Sequence, residues 1–310
     1  MTGEGGMDLR RRGVRIIDTF AEAFDMRAAR VVITAQSQAW ARTAAQSMTG
    51  FATSVIGCKV EAGLEGDLLP SETPDGRPGV SVLLFGFDAE GLASRLVDRV
   101  GQTVLTCPTT ACFDGLPQAI ERVVVGGLLR HFGDRYQSSK FLDGRRYWRI
   151  PVMEGEFLVQ EAFGLQKAIG GGNFLILAKD EGSALAAAES AVDVMRKVSG
   201  VILPFPGGIV RAGSKVGAKR YKKMIASTND AYCPTLRGRI GVASELPEEV
   251  NSVLEIVLDG LDRPAIEKAL RAGIEAACRP GVVEITAGNY GGKLGKHHFH
   301  LYALLSEASA

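Results

Sequence analysis

Four times along this chain a short β-branched run is followed by a helical pattern and then by a second short apolar run. This rhythm restricts the possible folds more than any other feature of the sequence. In the first copy the strand Arg30–Ala35 leads into a helix capped by Ser37 and stopped at Gly50, and Phe51–Gly57 reads as the second strand. The second copy starts at the strand Val80–Phe87. It continues through a helix capped by Asp88, with Leu92, Leu96, Val97 and Val100 at helical spacing, and ends in a strand at Val104–Cys107. The third comprises the strand Asn173–Ala178, a helix over Ser183–Ser199 ended by Gly200, and the strand Val201–Leu203. The fourth comprises Val253–Leu258, a helix over Arg263–Cys278 introduced by Asp262 and Pro264, and Val282–Ala287.

Two successive βαβ units sharing a sheet make the split-βαβ, ferredoxin-like arrangement, an antiparallel four-stranded sheet with both helices on one face. The predicted fold class is therefore α+β, with duplicated ferredoxin-like lobes over residues 14–107 and 156–303. Duplication also accounts for the glycines that end helices at Gly50 and Gly200, and for the Glu-Ala-Phe triplets at Glu22–Phe24 and Glu161–Phe163, which recur at similar offsets. Residues 108–155 break the rhythm and read as an inter-lobe insertion, with a hairpin turning near Gly155, that covers a sheet edge or a subunit contact. Residues 1–13 read as a disordered leader and 304–310 as a C-terminal tail.

A chain of 310 residues, 46% of them hydrophobic, can bury a core for two lobes. Its 36 Lys and Arg nearly balance 35 Asp and Glu, so no general field attracts nucleic acid or a membrane surface. No apolar run approaches the roughly 20 residues of a membrane span. The charged first residues are not followed by the apolar stretch of a secretory signal, which makes a cytoplasmic protein the expectation. Five cysteines, an odd number without CxxC spacing, argue against a disulfide scaffold or a zinc knuckle.

Between the third and fourth copies, Pro204–Thr235 (PFPGGIVRAGSKVGAKRYKKMIASTNDAYCPT) is longer than turning the chain requires, and long ordered loops on rigid scaffolds often carry function. It is not a phosphate-binding P-loop, because Gly213 is followed by Ser214, Lys215 and Val216 rather than by GK[ST]. Gly207 and Gly208, like the pairs Gly171–Gly172 and Gly291–Gly292, either let backbone N–H groups approach a ligand or make turns that need positive φ. Lys215, Lys219, Arg220, Lys222 and Lys223 crowd together as either a solvated face or a site for a polyanionic ligand. Ser227, Thr228, Asn229, Asp230 and Tyr232 share one compact turn. It suits orientation of a polar heterocycle, or else satisfies its own backbone as an Asx-turn.

Glu255 stands inside the otherwise apolar strand SVLEIVLDG, with Val253 and Val257 on its own face. A covered face makes it a proton-transfer group of raised pKa, whereas a half-exposed strand presents it to water. His298 and His300 would share one face of a strand, but no third ligand accompanies them, so no metal site is expected. No Ser-His-Asp arrangement or activated cysteine can be assembled from local spacing. A carboxylate-assisted transfer is therefore the enzymatic mechanism easiest to defend.

The motifs DTFAEAF (Asp18–Phe24), ETPDGRPGV, EGEF, GGNF, PFPGGIV, SKVG, STNDAYCPT and AGNYGGKLG (Ala287–Gly295) follow one another along the chain. Through them it resembles the formylmethanofuran:tetrahydromethanopterin formyltransferases over nearly its full length. The resemblance implies two fused ferredoxin-like lobes in a homo-oligomer, commonly a tetramer, with no metal or permanently bound cofactor. It implies two cosubstrates, tetrahydromethanopterin and a methanofuran-type carrier, between whose amines a formyl group moves reversibly. It points to Glu255 as the catalytic acid/base, with the Gly207–Gly208 turn and the Ser227–Tyr232 turn shaping the cleft. The glutamyl side chains of such carriers give Lys215, Lys222 and Lys223 a partner. Archaeal relatives are often strongly acidic, whereas this near-neutral chain with its leader MTGEGGMDLRRRG looks more like the bacterial version. There the transferase is a subunit of a formyltransferase/hydrolase complex that releases formate in formaldehyde oxidation. The alternative is a non-catalytic pterin-binding or scaffold module on the same fold.

Overall fold

The computed structural model describes residues 9–306, so residues 1–8 of the expected leader and 307–310 of the expected tail lie outside the described residues. Order begins before residue 14, because β1 (Arg10–Arg11) pairs antiparallel with β2 (Val14–Ile16). The first half then runs β3 (Phe20–Thr34), α1 (Gln38–Thr49), α2 (Val55–Cys58), β4 (Glu61–Leu68), β5 (Gly79–Gly86), α3 (Ala89–Arg99) and β6 (Ala111–Asp114). Its four principal strands lie in the order β4-β5-β3-β6, every neighbour antiparallel. Ser37 and Asp88 cap α1 and α3 as the sequence indicates, accepting from the N–H groups of Trp40 at 3.4 Å and Gly91 at 2.7 Å. Ala41, Ala44, Ala45 and Met48 form the buried stripe of α1.

Two predicted strands are absent. Phe51 adopts positive φ and Ser54 caps the short α2, so Phe51–Gly57 is a turn and a helical turn, and the strand comes later as β4. At Val104–Cys107 the chain is likewise not extended. A π-helical segment, Val100–Val104, follows α3 directly and buries its two terminal valines, so the β-branched run fills the core as a helix end. The fourth strand of this half is β6, which lies within the stretch expected as the inter-lobe insertion.

The remainder of the insertion holds β7 (Glu121–Val124), α4 (Gly126–Leu129), β8 (Ser138–Leu142) and β9 (Arg145–Val152), followed by β10 (Gly155–Gln160). The hairpin near Gly155 is present, with Gly155 opposite Val152. β10 pairs parallel with β6, so β10, β9 and β8 extend the sheet at the edge the insertion was expected to cover.

The second half comprises β11 (Ala162–Ala178), α5 (Glu181–Met195), β12 (Val201–Ile202), the hairpin β13 (Ser214–Val216) and β14 (Ala226–Thr228), β15 (Ser252–Gly260), α6 (Arg263–Ala277) and β16 (Val282–Thr286). Its four principal strands follow β12-β15-β11-β16, again antiparallel throughout, the same path as in the first half. The described residues end in β17 (His297–His300) and α7 (Leu301–Ser306). The latter buries Leu304 and Leu305, so the segment expected as a tail from residue 304 begins as packed helix.

Two long strands fuse the halves. β3 pairs in turn with β17 through Phe20–Ala23, with β11 through Phe24–Ala28, and with β5 and β6 through its remainder. A single sheet thus runs across the molecule. At the crossing an added Cβ at Gly170 would collide with Met26 Sδ and crowd Asp259 Oδ1, so a side chain there would displace its neighbours. The helices α5 and α6 cover one face of the second half. The opposite face is covered by the long connector between β12 and β15, which packs Leu246 and Val250 onto Leu175 and Leu177.

Candidate active site

The connector holds the Glu255 strand directly. Val210 N–H donates to the Glu255 carbonyl at 2.7 Å and Val210 carbonyl accepts from Glu255 N–H at 3.0 Å, forming an isolated antiparallel bridge. Three residues on, the chain passes the carboxylate so closely that a Cβ at Gly213 would stand 3.6 Å from Glu255 Oε2. Glu255 faces a cleft of about 860 Å³ whose walls come from β3, β4, β11, β15, the connector and the segment after β16. Enclosure by these elements, with no cation against it, pushes its carboxyl up to about 7, so it is half-ionised near neutrality.

Of the residues singled out in the sequence, Glu255, Lys215, Asn229, Tyr232 and Gly171 line this cleft. Lys215 pairs with Asp230, which also takes Lys219 at 2.7 Å, and these two ammonium groups hold the Asp230 carboxyl well below its ordinary range. Asp230 is therefore a brace inside the connector, and its single negative charge engages two of the five clustered cations and leaves the three groups with a net positive charge. Tyr232 donates its hydroxyl to Glu245 at 2.5 Å, and burial together with that carboxylate pushes its phenol up.

The other candidates stand off the cleft wall. Gly207 and Gly208 both have positive φ, and Gly208 N–H is spent on the Phe205 carbonyl at 2.7 Å, so they form a turn beside Phe205, which lines the cleft. Ser227 and Thr228 lie on β14 opposite Lys215 and Ser214. Lys222 and Lys223 are exposed in the turn joining β13 to β14.

Three cleft residues escaped the sequence reading of roles. Glu22 is buried and accepts four backbone N–H groups, from Tyr290, Gly292, Leu294 and Gly295, at 2.6 to 2.9 Å. Burial alone would raise its carboxyl, but these four donors outweigh it and hold the group low. Asn173 closes the same segment from the other side, donating to the carbonyls of Gly171 and Gly288 and accepting from Gly288 N–H at 2.6 Å. Together they present Tyr290 close enough for the Glu255 charge to raise its phenol, after burial. All three belong to motifs legible in the chain, DTFAEAF, GGNF and AGNYGGKLG. Asn173 and Tyr290 stand beside glycines, which is a local signal, whereas nothing within DTFAEAF marks Glu22 as the acceptor for a segment so distant in sequence.

The histidines serve packing. His298 and His300 flank the Phe20 ring, at 4.7 and 5.2 Å between centroids, and His297 pairs with Asp25 at 2.8 Å. Among the described residues no group of three or more His, Cys, Asp or Glu side chains is placed to hold a metal. No helix among them is long and apolar enough to cross a membrane.

Residues 9–152 match the family described as formylmethanofuran-tetrahydromethanopterin formyltransferase, and residues 155–304 match its proximal lobe. The chain is 59% identical to the formylmethanofuran–tetrahydromethanopterin formyltransferase of Methylococcus capsulatus and 57% identical to that of Methylobacillus flagellatus. Each match covers 95% of this chain and 99% of the relative. A chain of the formyltransferase/hydrolase complex from Methylorubrum extorquens, solved in complex with methylofuran, superposes with a TM-score of 0.93 at 51% identity. That match covers 96% of this chain and 99% of that one. The chain therefore belongs to the formylmethanofuran-tetrahydromethanopterin formyltransferase family.

Proposed function

We propose that this protein moves a formyl group between tetrahydromethanopterin and a methanofuran-type amine carrier, and that Glu255 carries the proton in that transfer. The single observation behind the assignment is a carboxyl on the cleft wall held near 7 by burial. When an amine attacks the formyl carbon, the attacking nitrogen must lose a proton and the departing nitrogen must gain one. A group that is half-ionised near neutrality does both, taking the proton as carboxylate and returning it as acid. Tyr290, Asn229 and Tyr232 line the space where the reacting groups meet. Lys215, kept in place by Asp230, is the cation nearest the chemistry among the connector's five.

The two equivalent strand paths support reading the halves as duplicated ferredoxin-like lobes, with Glu255 on the third strand of the second. The cosubstrates are the two carriers, and no permanently bound cofactor takes part. The protein acts in the cytoplasm as a homotetramer and as the transferase subunit of a formate-releasing complex, with flow from the pterin to the carrier. The structural likeness to a chain of the Methylorubrum complex supports this last assignment.

Incubating the purified protein with formyl-tetrahydromethanopterin and the carrier, and following the formyl group, tests the reaction. Absence of transfer by a folded protein would favour a non-catalytic module. Native purification that yields no hydrolase subunits would return the protein to a self-sufficient transferase. Of the cluster's three remaining exposed cations, Arg220 lies over the Tyr221 ring, and Lys222 and Lys223 are left for the carrier's glutamyl tail. Reversing both charges is expected to weaken carrier binding about tenfold at low salt and much less at high salt. An unchanged affinity at every salt concentration would make them an ordinary solvated face.

A further inference from the structure

Beside the proposed catalytic carboxyl lies a second pair of acids that the transfer reaction does not call for. Asp259 shares the cleft-facing side of β15 with Glu255 and Val257, is fully buried, and accepts the Gly171 N–H through Oδ1 at 2.9 Å. Its other oxygen, Oδ2, is also buried and receives no N–H or O–H donor among the described residues. Within hydrogen-bond reach of Asp259 is Glu61, which comes from β4 in the other half of the molecule. Glu61 lines the cleft, is 8% exposed, and accepts the Val55 N–H through Oε1 at 3.0 Å. Neither acid is stabilised by a lysine or arginine. Two ionised carboxylates placed so would repel each other while both lose hydration, whereas one proton between them gives a short charge-assisted hydrogen bond.

We propose that Asp259 keeps its proton and donates it to Glu61, forming a carboxyl–carboxylate pair that pins the Glu255 strand to the first half of the molecule. The same Asp259 holds the backbone of Gly171, another cleft residue, so the pair positions two parts of the wall at once. Both are positioning residues. Their consequence for catalysis rests on the reading of Glu255 as the proton carrier, whereas the shared proton does not.

Asp259→Asn reproduces both contacts, its amide donating to Glu61 and accepting from Gly171, while Asp259→Ala leaves Glu61 buried and unpaired. The alanine variant is expected to lose about tenfold to a hundredfold in kcat with a smaller change in KM, and the asparagine variant to stay within about threefold of wild type. A second measurement reads the proton without activity. In a Glu255→Gln protein at about pH 8, infrared spectroscopy should still show the C=O stretch of one protonated carboxyl, and adding Asp259→Asn should remove it. Absence of that band, or an asparagine variant as impaired as the alanine variant, would overturn the proposal. A fully active Glu255→Gln protein that keeps the band would overturn only the role given to Glu255.

Discussion

Glu255 makes no ion pair that would offset the loss of hydration in its cleft, and its raised pKa is a cost to the folded state. Between the ordinary carboxyl range and about 7, the native protein retains a proton that the unfolded chain has released, so stability falls as pH rises through that window. Allowing for the water its cleft admits, the cost when fully ionised is on the order of 2 kcal/mol. Glu255→Gln is accordingly expected to match wild type in urea unfolding at about pH 5 and to exceed it by about that amount at about pH 8. Equal stabilities at both pH values would show that the carboxyl is not held in a water-poor site. Glu22, four hydrogen bonds away from being an unpaired charge, has the opposite sign. Its depressed pKa gives stability above the ordinary carboxyl range that is lost on acidification.

At the scale of elements, the connector between β12 and β15 joins the site to the fold. Its bridge from Val210 to Glu255 uses both backbone groups of each residue, and proline at 210 would remove the donor of the 2.7 Å bond. Val210→Pro is expected to cost about 2–3 kcal/mol in unfolding and to reduce transfer at least about tenfold by releasing the loop over Glu255. An unchanged rate would separate the loop from catalysis. The four helices and the strands that enter them from β3, β5, β11 and β15 were legible because caps such as Ser37 and Asp88 and apolar spacing act locally. The long reach of β3 and β11 was not. In β11 the adjacent Gln166 and Lys167 break two-residue alternation, and in β3 the alternation of Asp25 and Arg27 with Phe24, Met26 and Ala28 is brief; both segments are strands because each completes the other's ladder across the molecule. The missed π-helical turn at Val100–Val104 has the same origin, a tertiary core that takes valine in either backbone state. In the site, Glu255 stood out as a charge in an apolar strand. Asp259 and Glu61 did not, since their meaning arises only where the halves touch.

At the scale of the whole molecule, the site depends on how the halves are fastened. Glu65, on β4, accepts from Arg30 at 2.6 and 2.7 Å and from Ser81 at 2.6 Å within its own half. It also reaches across to Gly200 N–H at 2.7 Å and Ser199 at 3.3 Å, beside the short strand β12. Although burial opposes ionisation, these donors hold its carboxyl low, so it is charged at neutral pH and its removal leaves Arg30 and Gly200 without their acceptor. Glu65→Ala is expected to cost about 3–5 kcal/mol, seen as a lower urea midpoint, and an unchanged midpoint would show that packing alone joins the halves. With both halves in place, the cleft that Glu255 lines is complete. Formyl transfer between tetrahydromethanopterin and the methanofuran-type carrier, measured across pH for wild type and for folded Glu255→Gln, tests this most directly. The expected result is a wild-type profile that bends near pH 7, and a variant slowed by about a hundredfold or more that has lost the bend. A variant with the wild-type rate and profile would contradict the assignment of the proton to Glu255.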